Sequence, residues 1–198
     1  FQPLQRRNLF SYRFDAAAFS KYMDTAQTPR NTGNIRVRTM DKRRLLHEVR
    51  LYTELNNLCF QDTPYWADRA AEEDYELFHP FRFLIREENL LFAESEGKAV
   101  GFLLWYPDFN QLVGPREGLG IRHLLRYRFS NPITACRLTE IGVIPGRHNT
   151  PVSHVLIQEM ARRARQNGYT ACEGGFIFED NHPSLAMARR YLRRSKGV

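Results

Sequence analysis

The C-terminal third of the chain carries the pattern that most narrows its possible folds. Residues 134–143 read as a strand, followed by the loop PGRHNT and a helix that starts at Pro151. Val152, Val155, Leu156, Met160 and Ala164 recur at helical spacing and form that helix's apolar stripe. Asn167-Gly168 is a helix stop, and the segment ACEGGFIF then supplies a second strand. Asp180 or Asn181 caps a last helix with Pro183 in its first turn. A strand, a helix and a strand joined by such short loops form a right-handed crossover between parallel strands. Any fold for this chain must contain that pair.

The upstream residues add a different kind of pairing. Ile35 to Met40 alternates as a half-buried strand does, and Leu45, Val49, Tyr52, Leu55 and Cys59 then share one helical face. An acidic helix is expected from Asp68 to Phe78, stopped before Pro80. LLFAES and AVGFLLWY flank Glu96-Gly97, the signature of an antiparallel hairpin. Residues 114–132 are rich in Gly and Arg, with a short helix at His123 to Tyr127. Near the start, LFSYRF reads as a short strand, and residues 24–34 as a linker. From Ile35 the order is β-α-α-β-β-β-α-β-α: an α/β (α+β) fold, with a mixed sheet between helices on both faces.

Charge narrows the function classes. The net charge is +7, and residues 161–198 hold eight Lys or Arg against Glu173, Glu179 and Asp180, a local excess of five. Either two helix faces are simply solvated, or the surface attracts a polyanion: a phosphorylated cofactor, an acidic carrier protein or nucleic acid. Nucleic acid is disfavoured, because basic residues are not interleaved with aromatics that could stack bases. No apolar run approaches the roughly 18 residues that span a bilayer. Cys59, Cys136 and Cys172 are widely spaced among apolar neighbours, with no Cys-x-x-Cys pair. They read as core thiols in a reducing, cytoplasmic setting, with no metal site.

Three stretches carry a resemblance: GFLLWYPDFNQ (101–111), LTEIGVIP (138–145) and EGGFIFEDNHP (173–183). With the element order, they resemble the GNAT acetyltransferase superfamily, and more narrowly a bacterial group of GNAT-like proteins built from two tandem halves. The resemblance covers about residues 35 to 194, and the Glu-Asp-Asn-x-Pro turn is its most specific part. It implies a mostly antiparallel sheet whose one parallel pair splays apart. It also implies that residues 1–34 are the terminal strand of a preceding half plus a linker, and that 35–198 form a GNAT-like domain without its final strand. An open sheet edge invites aggregation, so residues 9–14 are expected to cover it.

The resemblance also implies a site. Acyl-CoA would lie in the splay, its pantetheine along the backbone of Ile141 and Val143. The pyrophosphate would sit on the loop and helix start, where N–H groups and the helix dipole favour an anion. The family's loop pattern, Arg/Gln-x-x-Gly-x-Gly/Ala, falls on His148, Asn149, Thr150, Pro151, Val152 and Ser153. Pro151 therefore replaces a glycine and brings no N–H, and Ser153 replaces another; Arg147, His148, Thr150 and Ser153 are left to contribute side chains. Glu140 stands where some members place a general base, or else faces solvent from an alternating strand. The family's frequent acid falls at Ala188, with Tyr191 one turn on. Asn181 touches the pantetheine or caps its helix. The implied activity moves an acyl group to an amine-type acceptor. Its donor is acetyl-CoA, another acyl-CoA or an acyl carrier protein, the last docking near Arg162, Arg163 and Arg165. The alternative is a catalytically silent scaffold or binding module.

Overall fold

A computed structural model describes residues 8–15, 34–63, 66–114, 117–130, 132–147 and 150–195, with side chains to residue 189. They form two compact units. The strands are β1 (Leu9–Asp15), β2 (Ile35–Thr39), β3 (Leu90–Ser95), β4 (Lys98–Pro107), β5 (Ala135–Val143) and β6 (Ala171–Phe178). The helices are α1 (Leu45–Phe60), α2 (Ala71–Phe81), α3 (Ile121–Ser130), α4 (Val152–Gln166) and α5 (His182–Ser195). The fold is the mixed α/β architecture expected, mostly antiparallel with one parallel pair.

The first unit holds residues 34–106 and 140–163, and its strands run β2-β3-β4 with the end of β5 beside β4. The β3–β4 hairpin turns at Glu96 (φ 53°) and Gly97 (φ 76°), two left-handed residues, as a tight hairpin requires. Its core joins Met40, Val49, Tyr52, Leu55, Phe78, Leu90, Phe92 and Phe102, with Leu45 and Cys59 packed against them. The helical face expected for α1 is therefore the one it buries. On α4, Ile157 is buried and Val155 only half-buried, so the buried stripe is rotated slightly from the one expected.

Helix α2 departs from expectation by continuing through Pro80 to Phe81. The proline sits in the last turn, so only one intrahelical hydrogen bond is forgone. Arg82 caps the end of the helix, donating to the His79 carbonyl from its backbone N–H at 3.3 Å and from its guanidinium at 2.6 Å.

Where β5 meets β4 the strands touch closely. A Cβ on Gly142 would lie 2.5 Å from Phe102 Cε1 and 2.9 Å from Cys59 Sγ, on the α1 face. A Cβ on Gly101 would lie 2.9 Å from Val152 Cγ1, on the α4 face. Helices thus cover both faces here. Gly142→Ala should lower stability by about 1–3 kcal/mol, because Phe102 is fully buried and has nowhere to move. A urea melt with an unchanged midpoint would show that the ring and the thiol give way instead.

The second unit holds residues 8–15, 107–139 and 164–195, with strands in the order β1-β6-β5. β5 and β6 are parallel, paired from Ala135↔Ala171 to Leu138↔Gly174, where the pairing stops. β1 runs antiparallel to β6 from Leu9↔Phe178 to Asp15↔Ala171, so residues 9–14 do cover that edge. Asn8 Nδ2 donates to Glu179 and the Ser11 hydroxyl to Glu173, at 2.7 and 2.9 Å. Gly168 (φ 78°) ends α4 at the expected stop. At the head of α5, Asn181 is the cap: its Oδ1 accepts the Ser184 N–H at 3.2 Å. The three cysteines are free, and Cys136 and Cys172 are buried side by side in the parallel register. No helix among the described residues is long and apolar enough to cross a membrane.

Candidate functional site

Residues alternate across β5, and Glu140 shares a face with Gly142, the face turned toward α1. Its carboxylate does not project freely into solvent. Oε2 accepts the Tyr52 hydroxyl and, at 2.7 Å, Asn56 Nδ2; Oε1 has only Arg69, at 3.5 Å. One oxygen is thus anchored, while the other keeps open lone pairs in a side chain 31% exposed. Burial first, and the Glu140 charge second, hold the Tyr52 phenol well above its ordinary pKa. It stays a protonated donor.

Arg69 organises the rest. It lies over the rings of Tyr52 and Trp66, and donates to Asp74 through Nε at 2.9 Å and through a second nitrogen. Burial works against its charge, but Tyr52, Asp74 and Glu140 outweigh that, and its pKa stands above the usual value. Asp74 also takes the Thr53 hydroxyl at 2.7 Å, deep in the protein. Asn57 pins the arginine's backbone, accepting from its N–H at 3.0 Å and donating to its carbonyl at 2.9 Å. Within this network Asn56 Oδ1 is buried with no protein donor among the described residues, a place suited to a bridging water or a ligand N–H.

Sequence reasoning found Glu140 but missed Asn56, Arg69 and Asp74, and saw Tyr52 only as core. One signal was available. Glu48, Tyr52, Thr53 and Asn56 put polar groups on the buried side of α1, where an ordinary amphipathic helix would have none.

The backbone supplies the second element. Ile144 N–H donates to the Val100 carbonyl on β4 at 3.1 Å. In an antiparallel ladder alternate residues point to the same neighbour. Gly142 therefore also faces β4, and the N–H and C=O groups of Ile141 and Val143 face the opposite edge. Beyond them Gly146 turns the chain with φ 82°. The Thr150 N–H is already used, by the Arg147 carbonyl at 3.0 Å, and the Thr150 hydroxyl bonds the same oxygen at 2.5 Å. Pro151 has no N–H, and its carbonyl takes Val155 N–H as the first bond of α4. Among the described residues, the N–H groups of Val152 and Ser153 precede that bond and have no intrahelical acceptor. His148 and Asn149 lie outside the described residues.

The remaining candidates are scattered. The Asn181 side-chain oxygen is committed to its cap, and the Tyr191 side chain lies outside the described residues. Arg162 and Arg163 both bond Glu159, at 2.7–2.8 Å, and Arg163 also reaches Glu88 at 3.4 Å. Much of the charge expected to greet an acidic carrier protein is therefore balanced within the chain.

No protein-family model and no curated protein matches this sequence. Solved structures do match. One is a GCN5-related N-acetyltransferase from Sphaerobacter thermophilus, 15% identical with a TM-score of 0.60, covering 96% of this chain and 47% of that one. Another is an aminoglycoside acetyltransferase from an uncultured soil metagenomic sample, in complex with sisomicin; it is 14% identical, TM-score 0.52, covering 79% and 86%. A third is an N-acetyltransferase from Staphylococcus aureus Mu50, 15% identical, TM-score 0.51, covering 81% and 83%.

Proposed function

We propose that this chain, whose fold is that of the GNAT acetyltransferases, moves an acyl group from the thioester of acyl-CoA to an amine. The observation that carries the proposal is the arrangement on β5. A carboxylate with one anchored and one open oxygen stands next to two residues whose backbone groups face away from β4. An extended pantetheine would pair with Ile141 and Val143. The amine nitrogen attacks the thioester carbonyl carbon, the C–S bond breaks, and the amine proton passes through water to Glu140. Tyr191 would return a proton to the departing thiolate, with Asn181 beside the pantetheine. Holding amine and thioester in line supplies much of the acceleration.

The diphosphate would rest on Arg147, His148, Asn149, Thr150, Val152 and Ser153. This anchor is weak, since Pro151 offers no N–H and Thr150 has spent its own. One missing charge-assisted hydrogen bond costs about 1.5–3 kcal/mol, roughly ten- to a hundredfold in affinity. Replacing Pro151 and Ser153 by glycine should therefore tighten acetyl-CoA binding about tenfold in calorimetry. The unmodified chain should be titrated in parallel with an acylated carrier protein, at two salt concentrations. Micromolar, nearly salt-independent acetyl-CoA binding would show the loop reading to be wrong. Binding of the carrier alone would make the carrier the donor, and binding of neither would leave a silent scaffold.

Turnover can be followed by the thiol released. Burial pushes the Cys59 thiol up to about 12, and the Cys136 thiol is raised by its hydrogen bond with Cys172 and then by burial. Both stay protonated and slow toward disulfide reagents at pH 8, so they add little background. Such thiols suit a reducing cytoplasm. We also read residues 1–34 as the last strand of a preceding half plus its linker. The antiparallel seat of β1 on β6 and the 47% coverage of the Sphaerobacter protein support this.

A further inference from the structure

A second cavity lies apart from this site, at the other end of α1. It has a volume of about 590 Å³, within the usual range for small-molecule sites, and is open to solvent. Lys42, Arg43, Arg44, Arg50 and Arg82 line it, with two histidines, and no acidic side chain is among the lining residues. Leu45 at this end and Asn56 beside Glu140 are eleven residues apart, about 16 Å along the helix.

Among the described residues these cations have little to neutralise them. Arg43, Arg44 and Arg82 form no ion pair among the described residues, and Arg50 has only Glu72 at 3.8 Å, both side chains more than half exposed. Of the nearby acids, Asp41 accepts the Arg43 backbone N–H, Glu87 accepts that of Lys42 at 3.3 Å, and Glu48 is buried on Arg38. Lys42 donates to the Ile85 carbonyl and Arg82 to that of His79, which aims both side chains without cancelling charge. Cations here also stand at the positive end of a 16-residue helix, where acids are preferred. Crowding like charges costs stability that a bound anion would return.

We propose that this cavity binds a small polyphosphate, an anion with two or more adjacent phosphate groups. Its concave shape and its cations, drawn from the turn before α1, from α1 and from the residue after α2, suit a compact anion better than a nucleic-acid backbone. Among the lining residues a stacking platform is also lacking, because Tyr75 is half-buried and tilted against His79, 5.3 Å between ring centres.

Inorganic tripolyphosphate, inorganic phosphate and a 12-nucleotide single strand should be titrated into the full chain, with and without saturating acetyl-CoA. Tripolyphosphate should bind at least about tenfold more tightly than phosphate, as each further charge-assisted contact adds affinity. Acetyl-CoA should not displace it. Arg43→Gln with Arg44→Gln should weaken binding about tenfold or more and leave the melting temperature of the free protein equal or higher, while Arg122→Gln with Arg126→Gln on α3 should change nothing. Should the first variant fold poorly, Arg82→Gln provides the same reading. Unchanged affinity in the cavity variants, or full displacement by acetyl-CoA, would overturn the proposal. So would a preference for the oligonucleotide that grows with its length.

Discussion

Glu140→Gln should lower kcat/KM for the amine by about 10²- to 10⁴-fold, the usual worth of a positioned general base, while acetyl-CoA affinity stays within about twofold. The substitution preserves shape and an oxygen that can still accept from Tyr52 and Asn56. It removes the one atom argued to matter, the oxygen free to take a proton. A purely structural Glu140 would give the reverse: a lower melting temperature, with the turnover of the folded fraction unchanged. Measuring the melting curve and kcat/KM on the same preparation distinguishes the two, and an unaltered kcat/KM would remove Glu140 from the mechanism.

Asp74→Ala should destabilise the protein by about 3–5 kcal/mol, toward the lower end because Arg69 is 25% exposed and partly solvated. The carboxylate itself is 1% exposed, and two nitrogens of Arg69 and the Thr53 hydroxyl converge on it. Its removal leaves a half-buried cation without its main partner and a cavity beside the Thr53 hydroxyl, which keeps the Val49 carbonyl at 2.9 Å. For a chain of this size each kcal/mol moves the melting temperature about 2–4 °C, so a fall of roughly 6–20 °C is expected. Thr53→Val should cost less, since it removes one donor to the carboxylate and leaves the ion pair with Arg69 in place. A change below about 2 °C for Asp74→Ala would show that Arg69 finds water as good a partner.

Local patterning made much of this fold readable. Glu96-Gly97 announced its hairpin, Asn167-Gly168 its helix stop and Asn181 its cap, because each acts on residues no more than four positions away. The parallel pair followed from strand and helix lengths alone. Arg69 was invisible for the opposite reason. It falls inside the helix expected from Asp68, whereas α2 begins only at Ala71; before it, Arg69 is held by Asn57 and meets Glu140 across 71 positions of sequence. The basic cavity shows the same divide: Lys42, Arg43 and Arg44 are contiguous, but Arg82 joins them only once α2 has packed beside α1. Helix α2 runs past Pro80 because a proline in the last turn forgoes a single bond, while packing against α1 holds the rest of the helix.

The seat of β1 has a consequence for how the protein is made. Ser11 and the Glu173 it bonds are 162 residues apart, so at about 5–20 residues per second the ribosome needs roughly 8–30 s to deliver the partner of β1. For an interval of that length Leu9, Phe10, Tyr12 and Phe14 are outside the exit tunnel without β6, the strand they pair with in the folded protein. Nascent chains should accordingly present this segment to holding chaperones until β6 emerges, and slowing translation should lengthen the time for which they do.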